Sequence, residues 1–63
     1  MSEYESQLET LLEQAIFSIG AAAMSAAKSN YSKALYEVDY AEITLMQIRN
    51  TLVSIIHNSE MDG

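Results

Sequence analysis

In the second half of the chain Tyr31, Ala34, Val38, Ala41, Leu45, Ile48, Leu52 and Ile55 recur at alternating steps of three and four. Sustained over more than three heptads, that spacing holds one apolar stripe on one side of a helix and predicts an element built to lie against other helices. Upstream, Leu8, Leu12, Ala15, Ile19, Ala22 and Ala26 step by four and three, and Leu11 and Ile16 widen the stripe to that of a core-facing helix. Ser2 followed three residues later by Glu5 has the form of a capping box, and glutamates near a helix start suit its dipole.

Between the two patterns, Ser29, Asn30, Tyr31 and Ser32 are weak helix formers, and Asn30 or Ser32 is suited to cap a second helix. The expected fold is therefore all-α, a two-helix antiparallel hairpin in a single domain. Helix one covers residues 2–28, the turn 29–32 and helix two 32–57, with a patternless, frayed tail at 58–63. With no proline, and with Gly20 and Gly63 the only glycines, one long helix is the alternative. A helix of about 55 residues lies far above the usual length, which favours the hairpin.

From Gly20 to Ser29 nearly every side chain is small. In an antiparallel hairpin this segment is expected to face Tyr31, Tyr36 and Tyr40, small against large. Leu35, Met46 and Val53 broaden the helix-two stripe, whereas Tyr36, Tyr40 and Ile43 gather on the face opposite it at 100° per residue. Phe17 and Met24 are likewise off the stripe of helix one. A lone hairpin would leave these sets in water, which is more apolar surface than a soluble monomer normally shows.

Length sharpens that point. A folded chain of about 7 kDa buries roughly 3,300 Å² of apolar area, contributing about 80 kcal/mol at ~25 cal/mol per Å². Ordering ~55 residues at ~1.5 kcal/mol each costs about the same, so the monomer is marginal. With no cysteine and no cluster of metal-type ligands, self-association or a partner protein must supply the missing burial. The expectation is a homodimer that forms a four-helix bundle, with Leu8, Leu12, Ile19, Val38, Leu45, Ile48, Leu52 and Ile55 in the oligomer core.

Nine acidic residues against three basic ones give a formal charge of −6, which repels phosphate backbones and anionic headgroups and favours a basic protein surface as partner. Direct nucleic-acid binding is not expected. Residues 15–27 form the most hydrophobic run but are too few to span a bilayer, and the acidic start is unlike a secretory signal. The sequence reads as cytoplasmic, without membrane contact.

No residue pattern speaks for catalysis. His57 stands without a cysteine or a second histidine, and there is no glycine-rich phosphate loop, so neither enzyme activity nor a cofactor is expected. Glu5, Glu9 and Glu13 make a carboxylate ladder along one helix face, but one face does not surround a hard cation, so no metal site is expected there. The serines are expected at caps, turns and helix surfaces. Arg49 is placed to cover apolar surface with its stem and to pair with an acid on a neighbouring helix, and Lys28 to serve the end of helix one. The candidate partner face comprises Tyr36, Tyr40 and Ile43 together with Glu5, Glu9 and Glu13, since tyrosine supplies rigid contact area with a polar tip.

In length and heptad pattern the chain is similar to the small helical-hairpin proteins that pair into antiparallel four-helix bundles, such as plasmid copy-number regulators of the Rop type, and to the small hairpin chaperone subunits of type III secretion. The expected function is that of a small acidic adaptor or modulator that binds and regulates or inhibits another protein, of the sort carried by phage or plasmid accessory genes. The alternatives are a secretion-type co-chaperone that shields a hydrophobic helix and an acidic DNA mimic.

Overall fold

The computed structural model describes the backbone of residues 3–62 and the side chains of residues 3–59. Two α-helices, α1 (Glu3–Ala27) and α2 (Tyr31–Asp62), account for almost all of these, and no strand occurs among the described residues. The helices fold back and pack on each other as a hairpin with extents of 50 × 17 × 12 Å. The single long helix is thereby excluded.

The reversal is local chemistry. Ser29 adopts a left-handed conformation with φ of 61°. Its N–H donates to the Ala26 carbonyl at 2.9 Å, and the Asn30 N–H donates to the Ser25 carbonyl at 2.8 Å, which closes the last carbonyls of α1 in a Schellman motif. Asn30 then opens α2. Its Oδ1 accepts from the Lys33 N–H at 3.4 Å while its carbonyl accepts from the Ala34 N–H at 3.0 Å, so the cap is Asn30 and Ser32 lies inside the helix.

Both helices meet the turn one residue earlier than the sequence suggests, and α2 runs five residues past His57, to Asp62. The expected frayed tail is therefore mostly helix. Residues 58–62 lack an apolar pattern, but they also lack proline and glycine, and nothing local stops the backbone ladder from continuing. The capping box expected at Ser2 lies outside the described residues.

The line along which the helices meet is built mostly of small and polar side chains. Ala15, Ser18, Ala22 and Ser25 are buried on α1, and Ala41, Thr44 and Ile48 on α2. Leu8 and Leu11, together with Ala34, Glu37, Thr51, Ser54 and Ile55, are half-buried beside them. This corrects two sequence expectations. Ser18 and Ser25 are interior rather than at caps, turns or the surface. Of the eight stripe positions in helix two, Ala34, Ala41, Ile48 and Ile55 enter the seam, while Tyr31, Val38, Leu45 and Leu52 are displaced by Glu37, Thr44 and Thr51. The stripe is wider than one helix can cover, and the hairpin closes on the edge where short side chains meet.

Burying hydroxyls here is inexpensive because they bond locally. Thr44 Oγ1 donates to the Tyr40 carbonyl at 3.3 Å and Thr51 Oγ1 to the Gln47 carbonyl at 2.9 Å. No buried side-chain N or O among the described residues lacks a partner. Tyr31, Tyr36 and Tyr40 are all exposed, so their rings lie outside the seam, and of the alanine-rich half of α1 it is Ala21 that shares a groove with Tyr36 and Tyr40.

Such a seam leaves the molecule open. Its accessible surface is 4961 Å², against about 4,000 Å² for a compact monomer of this mass. Its radius of gyration is 14.8 Å, against about 11 Å. The excess area is of the order that one partner contributes to a standard protein interface, about 800 Å².

Candidate interaction surfaces

Helical geometry sorts the remaining side chains onto two flanks of the seam. In an antiparallel pair, equivalent heptad positions of the two helices fall on the same side. One step after Leu11 and Ser18 come Leu12 and Ile19; one step after Glu37, Thr44 and Thr51 come Val38, Leu45 and Leu52. These five are between 40% and 53% exposed. Ile16 on α1 and Leu35 and Ile56 on α2 extend the same side outward. We call this the aliphatic flank.

Five of the eight side chains expected in an oligomer core therefore lie here: Leu12, Ile19, Val38, Leu45 and Leu52. The other three, Leu8, Ile48 and Ile55, face the seam between the helices. Glu42 and Arg49 follow Leu35 at heptad steps and border the flank, and Arg49 forms no ion pair among the described residues.

The opposite flank is aromatic. A groove of about 630 Å³ runs between the helices, walled by Phe17 and Ala21 of α1 and by Tyr36 and Tyr40 of α2. Phe17 and Tyr36 are 78% and 72% exposed, so the groove is open to solvent. Glu13 and Glu37 also line it, and no lysine or arginine does. Ser25 Oγ donates to Glu37 Oε1 at 2.6 Å, which fixes one carboxylate at the groove margin. Nearer the turn a smaller depression is lined by Met24, Lys28 and Lys33, again with Glu37.

The structure thus brings Tyr36 and Tyr40 together with Phe17, which in the sequence is marked only as off-stripe, and places Ile43 one heptad further along the same side. It divides the glutamate ladder. Glu13 lines the aromatic groove, whereas Glu5 and Glu9, one heptad before Leu12 and Ile16, fall on the aliphatic side. Glu37 does not stand out in the sequence. Its signal there is the run Ala34, Glu37, Ala41, Thr44, Ile48, Thr51 and Ile55, which steps by three and four as regularly as the bulkier stripe beside it.

By length and composition α1 is apolar enough to cross a membrane, a test that core helices of soluble proteins also pass. The helix is longer than residues 15–27, although the residues it adds upstream include Glu3, Glu5, Glu9 and Glu13. Alongside it in the hairpin, α2 carries Glu37, Asp39, Glu42 and Arg49. His57 is exposed, and the described residues contain no group of three or more His, Cys, Asp or Glu arranged to hold a metal ion. Comparisons with protein-family models, curated proteins and solved structures return no match.

Proposed function

We propose that the chain is a small acidic, non-enzymatic interaction module: two hairpins pair through their aliphatic flanks into a four-helix bundle, and the dimer binds another protein to regulate or inhibit it. The observation that carries this reading is the division of side chains. Alanine, serine and threonine, with Ile48, close the hairpin, while Leu12, Ile19, Val38, Leu45 and Leu52 stay open along one side. A chain that could complete its own core would place its leucines there, and only a second apolar surface gives these their burial.

A second copy fits that flank better than an unrelated protein does. A two-fold interface sets the same patch against itself, so Glu42 of one copy can meet Arg49 of the other and the reverse, with the leucines between them. The exposed area in excess of a compact monomer is about what one side of such an interface hides. The acidic side chains of α2 beside α1 support a water-surrounded bundle over a membrane-embedded helix, because charges within hydrocarbon are expensive.

Sedimentation equilibrium with circular dichroism across a dilution series tests the reading. A helical dimer of twice 7.0 kDa, losing helicity on dilution, is the expected result. A poorly helical monomer would instead assign the missing half of the core to a client protein, as in a co-chaperone. A helical monomer at all concentrations would remove both.

A further inference from the structure

We infer that the aromatic groove opposite the aliphatic flank is the partner site, and that it takes a basic amphipathic helix from another protein. This rests on the reading of the chain as an interaction module, yet it uses a surface that self-association through the aliphatic flank leaves free. A groove between two packed helices accepts the side-chain ridge of a third, and anchors spaced three or four residues apart fill it.

Phe17 stands on one wall, with Tyr36 and Tyr40 one helical turn apart on the other, and Ala21 keeps the space between them open. An aliphatic side chain entering there meets aromatic faces on both sides, the kind of rigid contact area that dominates binding hot spots. The charge selects the ligand. Glu13 and Glu37 line the groove and no lysine or arginine does, Lys28 and Lys33 bordering Glu37 from the depression nearer the turn, and Glu37 is oriented by the Ser25 hydroxyl through Oε1, which leaves its other oxygen available. Lysine or arginine flanking the apolar anchors can reach both carboxylates, and the net charge of −6 steers such a segment inward. An acidic helix or a nucleic acid is repelled by the same groups.

The probe is a synthetic helix of about 18 residues, five turns, with leucine on one face and lysine on the other. Its controls are a composition-matched scramble and a leucine/glutamate counterpart. The chain contains four tyrosines and no tryptophan, so with probes free of both residues any change in tyrosine emission reports on the protein itself. Amide NMR shifts locate the binding, and sedimentation follows the association state.

The expected result is saturable binding of the leucine/lysine helix at least about tenfold tighter than either control, a difference of about 1.4 kcal/mol. Shifts should centre on Phe17, Ala21, Tyr36 and Tyr40 with the mass of the protein otherwise unchanged. Tyr36→Ser combined with Tyr40→Ser, and separately Glu13→Gln combined with Glu37→Gln, should each weaken binding about tenfold or more while helicity is retained. Equal binding of the scramble would show charge alone at work and overturn the proposal, as would binding at Leu12, Val38 and Leu45 with loss of the dimer. A dimer that binds no helix sinks the groove and leaves the dimer reading standing. A monomer that binds the probe between Phe17 and Tyr36 does the reverse.

Discussion

Ser25 on α1 donates its hydroxyl to Oε1 of Glu37 on α2 at 2.6 Å, the one side-chain hydrogen bond between the helices among the described residues. It marks the register of the hairpin. With Ser25 level with Glu37, antiparallel steps of seven set Ser18 level with Thr44 and Leu11 with Thr51, and these are the buried and half-buried positions observed.

Removing that bond should therefore be felt in stability. Ser25→Ala leaves a half-buried carboxylate to turn toward water, and a loss of about 1 kcal/mol is expected, since the partial exposure of Glu37 offsets some of the desolvation. Urea unfolding at fixed protein concentration, run as a double-mutant cycle with Glu37→Ala, should give a coupling of about 0.5–1.5 kcal/mol. Additive single effects would show that the bond contributes nothing to stability.

The seam and the aliphatic flank make separable predictions. Ile48 is 6% exposed at the helix–helix line, so Ile48→Asp places an unpaired charge in the hairpin itself and should abolish helicity at every concentration. Leu45, 48% exposed on the aliphatic flank, is different. Leu45→Asp should act on the dimer, with helicity lost at low concentration and recovered at high concentration. If the two variants behave alike in circular dichroism across a dilution series, the division into two surfaces is wrong.

Ser29 holds a left-handed conformation that an L side chain adopts at a cost of about 1–2 kcal/mol. Glycine does not incur that strain, although it loses more backbone freedom on folding. Ser29→Gly should thus raise stability by about 0.5–1 kcal/mol, or roughly 4–8 °C per kcal/mol in melting temperature for a domain of this size. Calorimetry at matched concentration provides the check.

Gly20 lies inside α1, and a Cβ built there meets nothing within 4 Å. Gly20→Ala should then stabilise the helix by about 0.5–1 kcal/mol through backbone entropy alone. A loss of stability in the dimer, with a gain in the dissociated chain, would mean that a second subunit approaches α1 closely at this position.

Much of this architecture is legible in the sequence. Heptad spacing specifies two helices, and the run of weak helix formers at residues 29–32 marks a reversal without any glycine or proline to announce it. The aromatic set of Tyr36, Tyr40 and Ile43 is visible as off-stripe. Phe17 is visible in the same way, but its meeting with the tyrosines depends on how the two helices are rotated about their axes, and neither periodicity alone specifies that.

The rotation is what the tertiary structure decided. Helix two offers two interleaved stripes, one of Tyr31, Val38, Leu45 and Leu52 and one of Glu37, Thr44 and Thr51, both completed by Ala34, Ala41, Ile48 and Ile55. Periodicity determines each helix and marks its apolar side, because spacing is a property of one helix. It cannot say which edge of a wide stripe meets the other helix, because that depends on how closely two backbones approach and which polar groups find partners on arrival. Small side chains allow the approach, Thr44 and Thr51 satisfy their hydroxyls within their own helix, and Ser25 satisfies Glu37 across the gap. The polar edge could therefore be buried inside the hairpin, and the leucine edge was left facing outward.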